Sequence, residues 1–141
     1  MKKISGFFWP DTDRDGAATI LSQVDDIDRV VPHLKRRRTA VQAGGNVGVY
    51  AKRLSALFDR VHTFEPEPEN FVCLRRNVSE DNVFSVNAAL GSATGSVALE
   101  YFESMFVISR KPLPPSIPVN CPLMSPELTT VVVPTPKIPA P

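Results

Sequence analysis

Apolar residues along this chain switch between two spacings, and the switches lay out its elements. Between residues 17 and 34 they recur at Ile20, Val24, Ile27, Val31 and Leu34, which is helical spacing. Pro32 falls inside that stretch and predicts two helical pieces, or one with a kink. Residues 39–43 read as a buried strand. After a glycine cluster, Val47, Tyr50, Ala51, Leu54, Leu57 and Phe58 share one face, predicting an amphipathic helix over 48–58. Residues 61–64 read as a second strand. Pro66 and Pro68 suit the start of another helix, whose stripe is Phe71, Leu74 and Val78. Residues 83–90 read as a third strand. Beta, alpha, beta, alpha, beta with short joints is half of a doubly wound α/β sheet, with right-handed crossovers expected.

Beyond the third strand the pattern thins. Residues 97–102 predict a strand after a turn at Gly95, and 106–108 and 129–133 are each short enough to be one more. Proline interrupts everything around them. The chain has 14 prolines, and from Pro112 onward they crowd into a segment where helix and central strand are both disfavoured. The expectation is therefore a helical and aromatic extension over 1–38, a partial Rossmann-like domain over 39–110, and an extended or disordered tail over 111–141. Phe7, Phe8, Trp9 and Pro10 form an aromatic anchor in the extension, suited to packing on the core or covering a pocket.

Composition narrows the classes without choosing one. In 141 residues, 43% are hydrophobic and 22% charged, the profile of an ordinary globular chain with a core of its own. A formal net charge of +1 gives no global pull toward nucleic acid or an anionic membrane. Lys35, Arg36, Arg37 and Arg38 form a basic run without interleaved aromatics, read as a solvated stretch ending a helix. No apolar run approaches the roughly 18 residues of a membrane span, and Lys2 and Lys3 precede no apolar stretch like that of a signal peptide. A cytoplasmic protein is expected. Cys73 and Cys121 lie in different contexts and suggest no disulfide framework; Cys73 reads as a small buried residue.

Two patterns carry candidate chemistry. Asp11, Asp13, Asp15 and Gly16 match the first half of a calcium loop, but the bidentate acid required at its twelfth position is Ser22 here. The reading is an acidic turn that caps the next helix, and no metal is expected. The second pattern is Gly44, Gly45, Asn46, Val47 and Gly48, answered about twenty residues later by Glu65, the spacing at which a Rossmann-like sheet meets a nucleoside cofactor. Glycines permit a sharp turn and close ligand approach, the following helix begins with free N–H groups facing a ligand, and Glu65 is placed to accept two ribose hydroxyls. Asn46 stands where a dinucleotide fingerprint has its second glycine, which points away from a pyrophosphate.

With the residues just given, three further stretches complete a resemblance: Phe64 to Asn70, Leu74 to Asn77, and Asn87 to Gly91. In this order and spacing, residues 39–91 resemble the FkbM-type S-adenosylmethionine-dependent methyltransferases. The resemblance implies S-adenosyl-L-methionine as cofactor, held by Gln42, Gly44, Gly45, Asn46, Gly48, Glu65, Asn87 and Ala88, and methyl transfer to a hydroxyl of a sugar or small metabolite. Asn87 and Ala88 would form the adenine-side wall. Gln42 departs from the family, which has an acid there for the cofactor's ammonium; an amide keeps a hydrogen bond but loses its charge-assisted part. The acidic motif of the family's fourth strand has no counterpart, so the sheet reads as stopping after its third strand and no catalytic base is assigned. His62 reads as packed against a neighbour. A catalytically inactive remnant acting as a nucleoside-binding or interaction module is the alternative, as is a cofactor-free α/β module; a nicotinamide enzyme fits less well. With no fourth strand beside residues 40–43, self-association through an exposed sheet edge is expected.

Overall fold

The computed structural model describes residues 1–90, 95–102, 105–109 and 128–133. Strand β1 (Lys2–Ile4) turns through Ser5 and Gly6 into β2 (Phe7–Trp9), an antiparallel hairpin. Helix α1 (Gly16–Gln23) runs through a 3₁₀ turn into α2 (Ile27–Val30), and a second 3₁₀ turn carries Pro32. The predicted helical stretch is thus present but broken. Proline enters at the first turn of its own short piece, where its missing N–H costs nothing. Asp13 rather than the N-cap residue Asp15 supplies the side-chain acceptor, for the N–H of Ala17 at 3.4 Å, so the acidic turn does cap.

The central unit follows as β3 (Thr39–Ala43), α3 (Val49–Ser55), β4 (Arg60–Phe64), α4 (Pro68–Asn77) and β5 (Val83–Val86). The three strands are parallel in the order β3-β4-β5. This is an α/β fold with a Rossmann-like start. Helix α3 stops at Ser55, short of the expected Phe58. The N–H groups of Leu57 and Phe58 both turn back to the carbonyl of Leu54, and Asn82 donates to the carbonyls of Ser55 and Phe58, which satisfies groups a longer helix would use. Strand β5 stops at Val86, not Leu90, because the N–H of Ala88 closes a tight turn onto the carbonyl of Val86.

One face of this sheet is packed and the other is open among the described residues. Val61 and Thr63 are fully buried toward the helices. On the opposite face Val41 pairs in register with His62, and His62 with Phe84; Val41 is 62% exposed and Phe84 48%. Strand β3 is therefore not the buried strand that its composition suggests. It is an edge, with β4 as its one neighbour among the described residues. His62 stacks on Phe84 with ring centroids 5.2 Å apart, a packing role.

The hydrophobic core lies on the helix side. Trp9, Ala17, Val47, Val49 and Cys73 are buried together, with Ile4, Phe7, Ile20, Leu21 and Val24 against them. The aromatic anchor therefore packs on the core. Asn77 bolts it down: its amide donates to the carbonyls of Phe8 and Val47 and accepts the N–H of Phe8, all within 2.8 Å.

The remaining strands are β6 (Gly95–Phe102), β7 (Met105–Ser109) and β8 (Leu128–Val133), an antiparallel sheet in the order β7-β6-β8. Leu128–Val133 matches the short strand offered over 129–133. It is a proline-free, β-branched run between Pro126 and Pro134, and every residue in it has a partner on β6. Neither β7 nor β8 takes the place beside β3. The expectations for Gly91 and for the proline-rich residues around β8 lie outside the described residues. No helix among those described is long and apolar enough to cross a membrane.

Candidate functional site

Residues 44–48 leave the carboxyl end of β3 as a loop held almost wholly by its own chain. The N–H groups of Gly44 and Gly45 both donate to the carbonyl of Phe64, at 2.9 and 2.8 Å. That of Asn46 donates to Oε2 of Glu65 at 2.6 Å, and that of Val47 to Oδ1 of Asn46 at 2.7 Å. The N–H of Gly48 closes the loop on the carbonyl of Gly45 at 2.9 Å. Every main-chain donor in the loop is thus committed internally, and none is left to cradle a phosphate in the manner of a dinucleotide fingerprint.

The glycines divide by role. Gly44 has φ +76°, and a Cβ there would meet nothing within 4 Å. This is open space at the mouth of the loop, compatible with a ligand. At Gly45 a Cβ would overlap the Thr63 hydroxyl and come within 2.7 Å of Leu74 Cδ1; at Gly48, with φ +91°, it would sit 2.6 Å from Val78 Cγ2. These two let the loop lie against β4 and α4. The close approach at Gly48 is that of helix α4.

Glu65 follows directly on β4 and is 5% exposed. Besides the Asn46 N–H, its carboxylate accepts the N–H of Glu67 through Oε1 at 2.9 Å. Each oxygen so far serves the protein, with lone pairs remaining for further donors. Burial pushes the Glu65 carboxyl above its ordinary pKa; the Glu67 and Asn46 N–H donors oppose that shift and the nearby Glu67 charge adds to it. Burial likewise raises Glu67, whose side chain caps α4 by accepting the N–H of Asn70. Pro68 is a helix-start signal that the sequence carries, but the capping by Glu67 and its proximity to Glu65 emerge only from the fold.

The other site residues gather around this pair. Gln42 lies beside Thr63 in register; it accepts the Thr63 hydroxyl at 3.0 Å and donates to the carbonyl of Gly44 at 3.3 Å. Asn87 follows β5 and donates to the carbonyls of Glu65 and Pro66 at 2.7 and 3.2 Å. Ala88 is buried. Gln42, the glycine loop, Glu65, Asn87 and Ala88 thus meet at the carboxyl ends of the three parallel strands, where open α/β sheets bind ligands. Asn77, Leu74 and Val78, which support the loop from behind, were not distinguishable from ordinary helix-face residues.

The raised carboxyl of Glu65 gives a pH test. In the window between its ordinary and raised pKa the native state binds more protons than the unfolded chain, so stability falls as pH rises through the folded value. Glu65→Gln removes that dependence while keeping an acceptor. Relative to this variant, the parent should lose stability as pH rises above the ordinary carboxylate pKa, as followed by urea midpoints; parallel profiles would mean Glu65 does not titrate in the fold.

A separate concavity of about 270 Å³ lies between the hairpin, α1 and α3, lined by Phe7, Leu21, Val24, Val49, Lys52, Arg53 and Ala56. It does not touch the glycine loop. Lys52 is tied to Glu80 and Arg53 to Asp28, and its walls are otherwise apolar.

No protein-family model and no curated protein matches the chain.

Proposed function

We propose that this chain binds S-adenosyl-L-methionine at the carboxyl ends of β3, β4 and β5, as a methyltransferase-type domain similar to the FkbM family. The observation that carries this reading is the commitment of every N–H from Gly44 to Gly48 within the chain. With those donors taken, a pyrophosphate would have only the N–H groups that open α3 to draw on, whereas a sulfonium nucleoside has no phosphate and asks only for a cradle and a ribose acceptor. Gly44 supplies open space, and Glu65 supplies the acceptor. The cofactor would bring an activated methyl group. The chain's own residues would orient it, with Glu65 on the ribose hydroxyls, Gln42 toward the methionyl end, and Asn87 and Ala88 along the adenine. The acceptor in this reading is a hydroxyl of a sugar or small metabolite, and the protein's contribution to transfer is proximity and alignment.

A second reading is favoured by a specific observation. Strand β3, which a complete doubly wound sheet buries at its centre, is an edge among the described residues. That arrangement suits a nucleoside-binding or interaction module without turnover.

Glu65→Ala tests the cofactor site. Losing a carboxylate that pairs ribose hydroxyls should weaken S-adenosylmethionine or S-adenosylhomocysteine binding at least about tenfold, from hydrogen bonds to a charged group worth roughly 1.5–3 kcal/mol. Glu65→Gln, which keeps one acceptor for the Asn46 N–H, separates ribose contact from loop support. Equal calorimetric affinity in parent and both variants would remove Glu65 from the site. A radiolabelled-methyl assay against a panel of sugars distinguishes the two readings, since only the first predicts transfer.

A further inference from the structure

Strand β3 has its pairing groups arranged in an alternating pattern. The N–H of Gly44 reaches the carbonyl of Phe64 on one side, and the carbonyl of Arg38 receives the N–H of Arg60 on the same side. Alternation along a strand then turns the main-chain groups of Ala40 and Gln42 toward β4, and those of Thr39, Val41 and Ala43 toward the open edge. That edge carries none of the devices by which proteins usually blunt one: no proline, no bulge and no charged side chain lies within Thr39–Ala43.

We propose that β3 is a homodimer interface, in which two copies pair antiparallel about a two-fold axis through Val41. In this register Val41 faces Val41 of the second copy, and Thr39 faces its Ala43. Every outward donor and acceptor of the strand then meets its complement. Shifting the axis to Ala40 or Gln42 leaves the groups of Ala43 or Thr39 without partners. Cross-strand neighbours share a face, so the two Val41 side chains, each 62% exposed and among the most exposed hydrophobics of the described residues, cover one another as a β-branched pair. The isologous arrangement needs one self-complementary patch and closes at two copies.

Charge favours the same orientation. Lys35, Arg36, Arg37, Arg38 and Arg60 gather at the amino end of the parallel sheet, while Glu65, Glu67 and Glu69 gather at its carboxyl end. A parallel arrangement of two β3 strands would set the basic runs side by side. The two-fold register instead lays Arg38 against Gly44 of the other copy, bringing its basic end toward the acidic end of its neighbour, where salt-screened attraction favours it.

The experiment combines sedimentation of the full chain over a concentration series with amide exchange resolved by residue. The parent should sediment as a dimer that dissociates on dilution. Val41→Lys, which sets two ammonium groups face to face at the axis, should sediment as a monomer with unchanged circular dichroism. Exchange at Thr39, Val41 and Ala43 should slow as the parent dimerises, while Ala40 and Gln42, held by β4, stay protected throughout. A monomeric parent would overturn the proposal, as would a dimer in which those three amides exchange freely. Protection of all three in a monomer would assign the edge to another segment of this chain. A Val41→Lys dimer as tight as the parent would place the interface elsewhere.

Discussion

Replacing Trp9 with alanine should destabilise this protein by about 3–5 kcal/mol, the range for emptying a large aromatic site in a packed core. Trp9 is fully buried among Ala17, Val47, Val49 and Cys73, residues drawn from α1, the glycine loop, α3 and α4. It is therefore the side chain through which the amino-terminal hairpin and the α/β unit share one core. Its ring N–H reaches the carbonyl of Ile4 at 3.4 Å, a long bond that adds little. Packing carries the effect, so Trp9→Phe should recover much of the loss. Urea unfolding of the two variants checks this. A Trp9→Ala cost below about 0.5 kcal/mol, within the range of ordinary surface changes, would mean that the hairpin is not part of the cooperative unit.

Gly48→Val should be comparably severe, and for two separable reasons. With φ at +91° any side chain is strained, by roughly 1–2 kcal/mol and more for a β-branched one. The new Cβ would also lie 2.6 Å from Val78 Cγ2 and 3.3 Å from Leu74 Cγ, pressing α4 away from the loop, and overpacking of this kind costs about 1–3 kcal/mol more. Gly44→Ala is the control. It has a similar positive φ but open space around its Cβ, so it should show the strain without the clash. Melting temperatures that fall equally in the two variants would contradict the close packing of α4 on the loop.

How far the sequence reveals this arrangement differs from residue to residue. The parallel β3-β4-β5 unit was legible because its apolar periodicities switch cleanly between strand and helix, with glycine and proline at the joints. Trp9 was legible as an anchor but not as the core's centre, since nothing local says which surface an aromatic cluster will meet. The edge position of β3 among the described residues was legible from the missing fourth-strand motif and not from Ala40, Val41 and Ala43 themselves, whose composition suits a buried strand equally well; that β7 and β8 pair with β6 instead depends on contacts between distant segments. The β-branched run before Pro134 was legible as a short strand because the prolines flank it without entering it, and proline restricts only the residues it touches and its immediate neighbour.

At the site, Gly44 and Glu65 followed from motif spacing and Gln42 and Asn87 only from the resemblance, and the fold brings the four together. Spacing could not show how the glycines divide between ligand space and helix packing, because that depends on Leu74 and Val78 from another element. Nor could it show that Glu65 braces the loop through Asn46, a contact set by side-chain rotamers and not by chain order.

A glycine loop and a Glu65 that form a site for a phosphate-free nucleoside cofactor should respond to S-adenosylhomocysteine and not to NAD. When each is titrated separately into the isotopically labelled full chain, amide shifts followed by residue should saturate with S-adenosylhomocysteine and centre on Gly44 to Gly48, Glu65 and Asn87 to Ala89, with no comparable response to NAD. Shifts absent from those residues, or NAD binding there more tightly, would contradict that assignment.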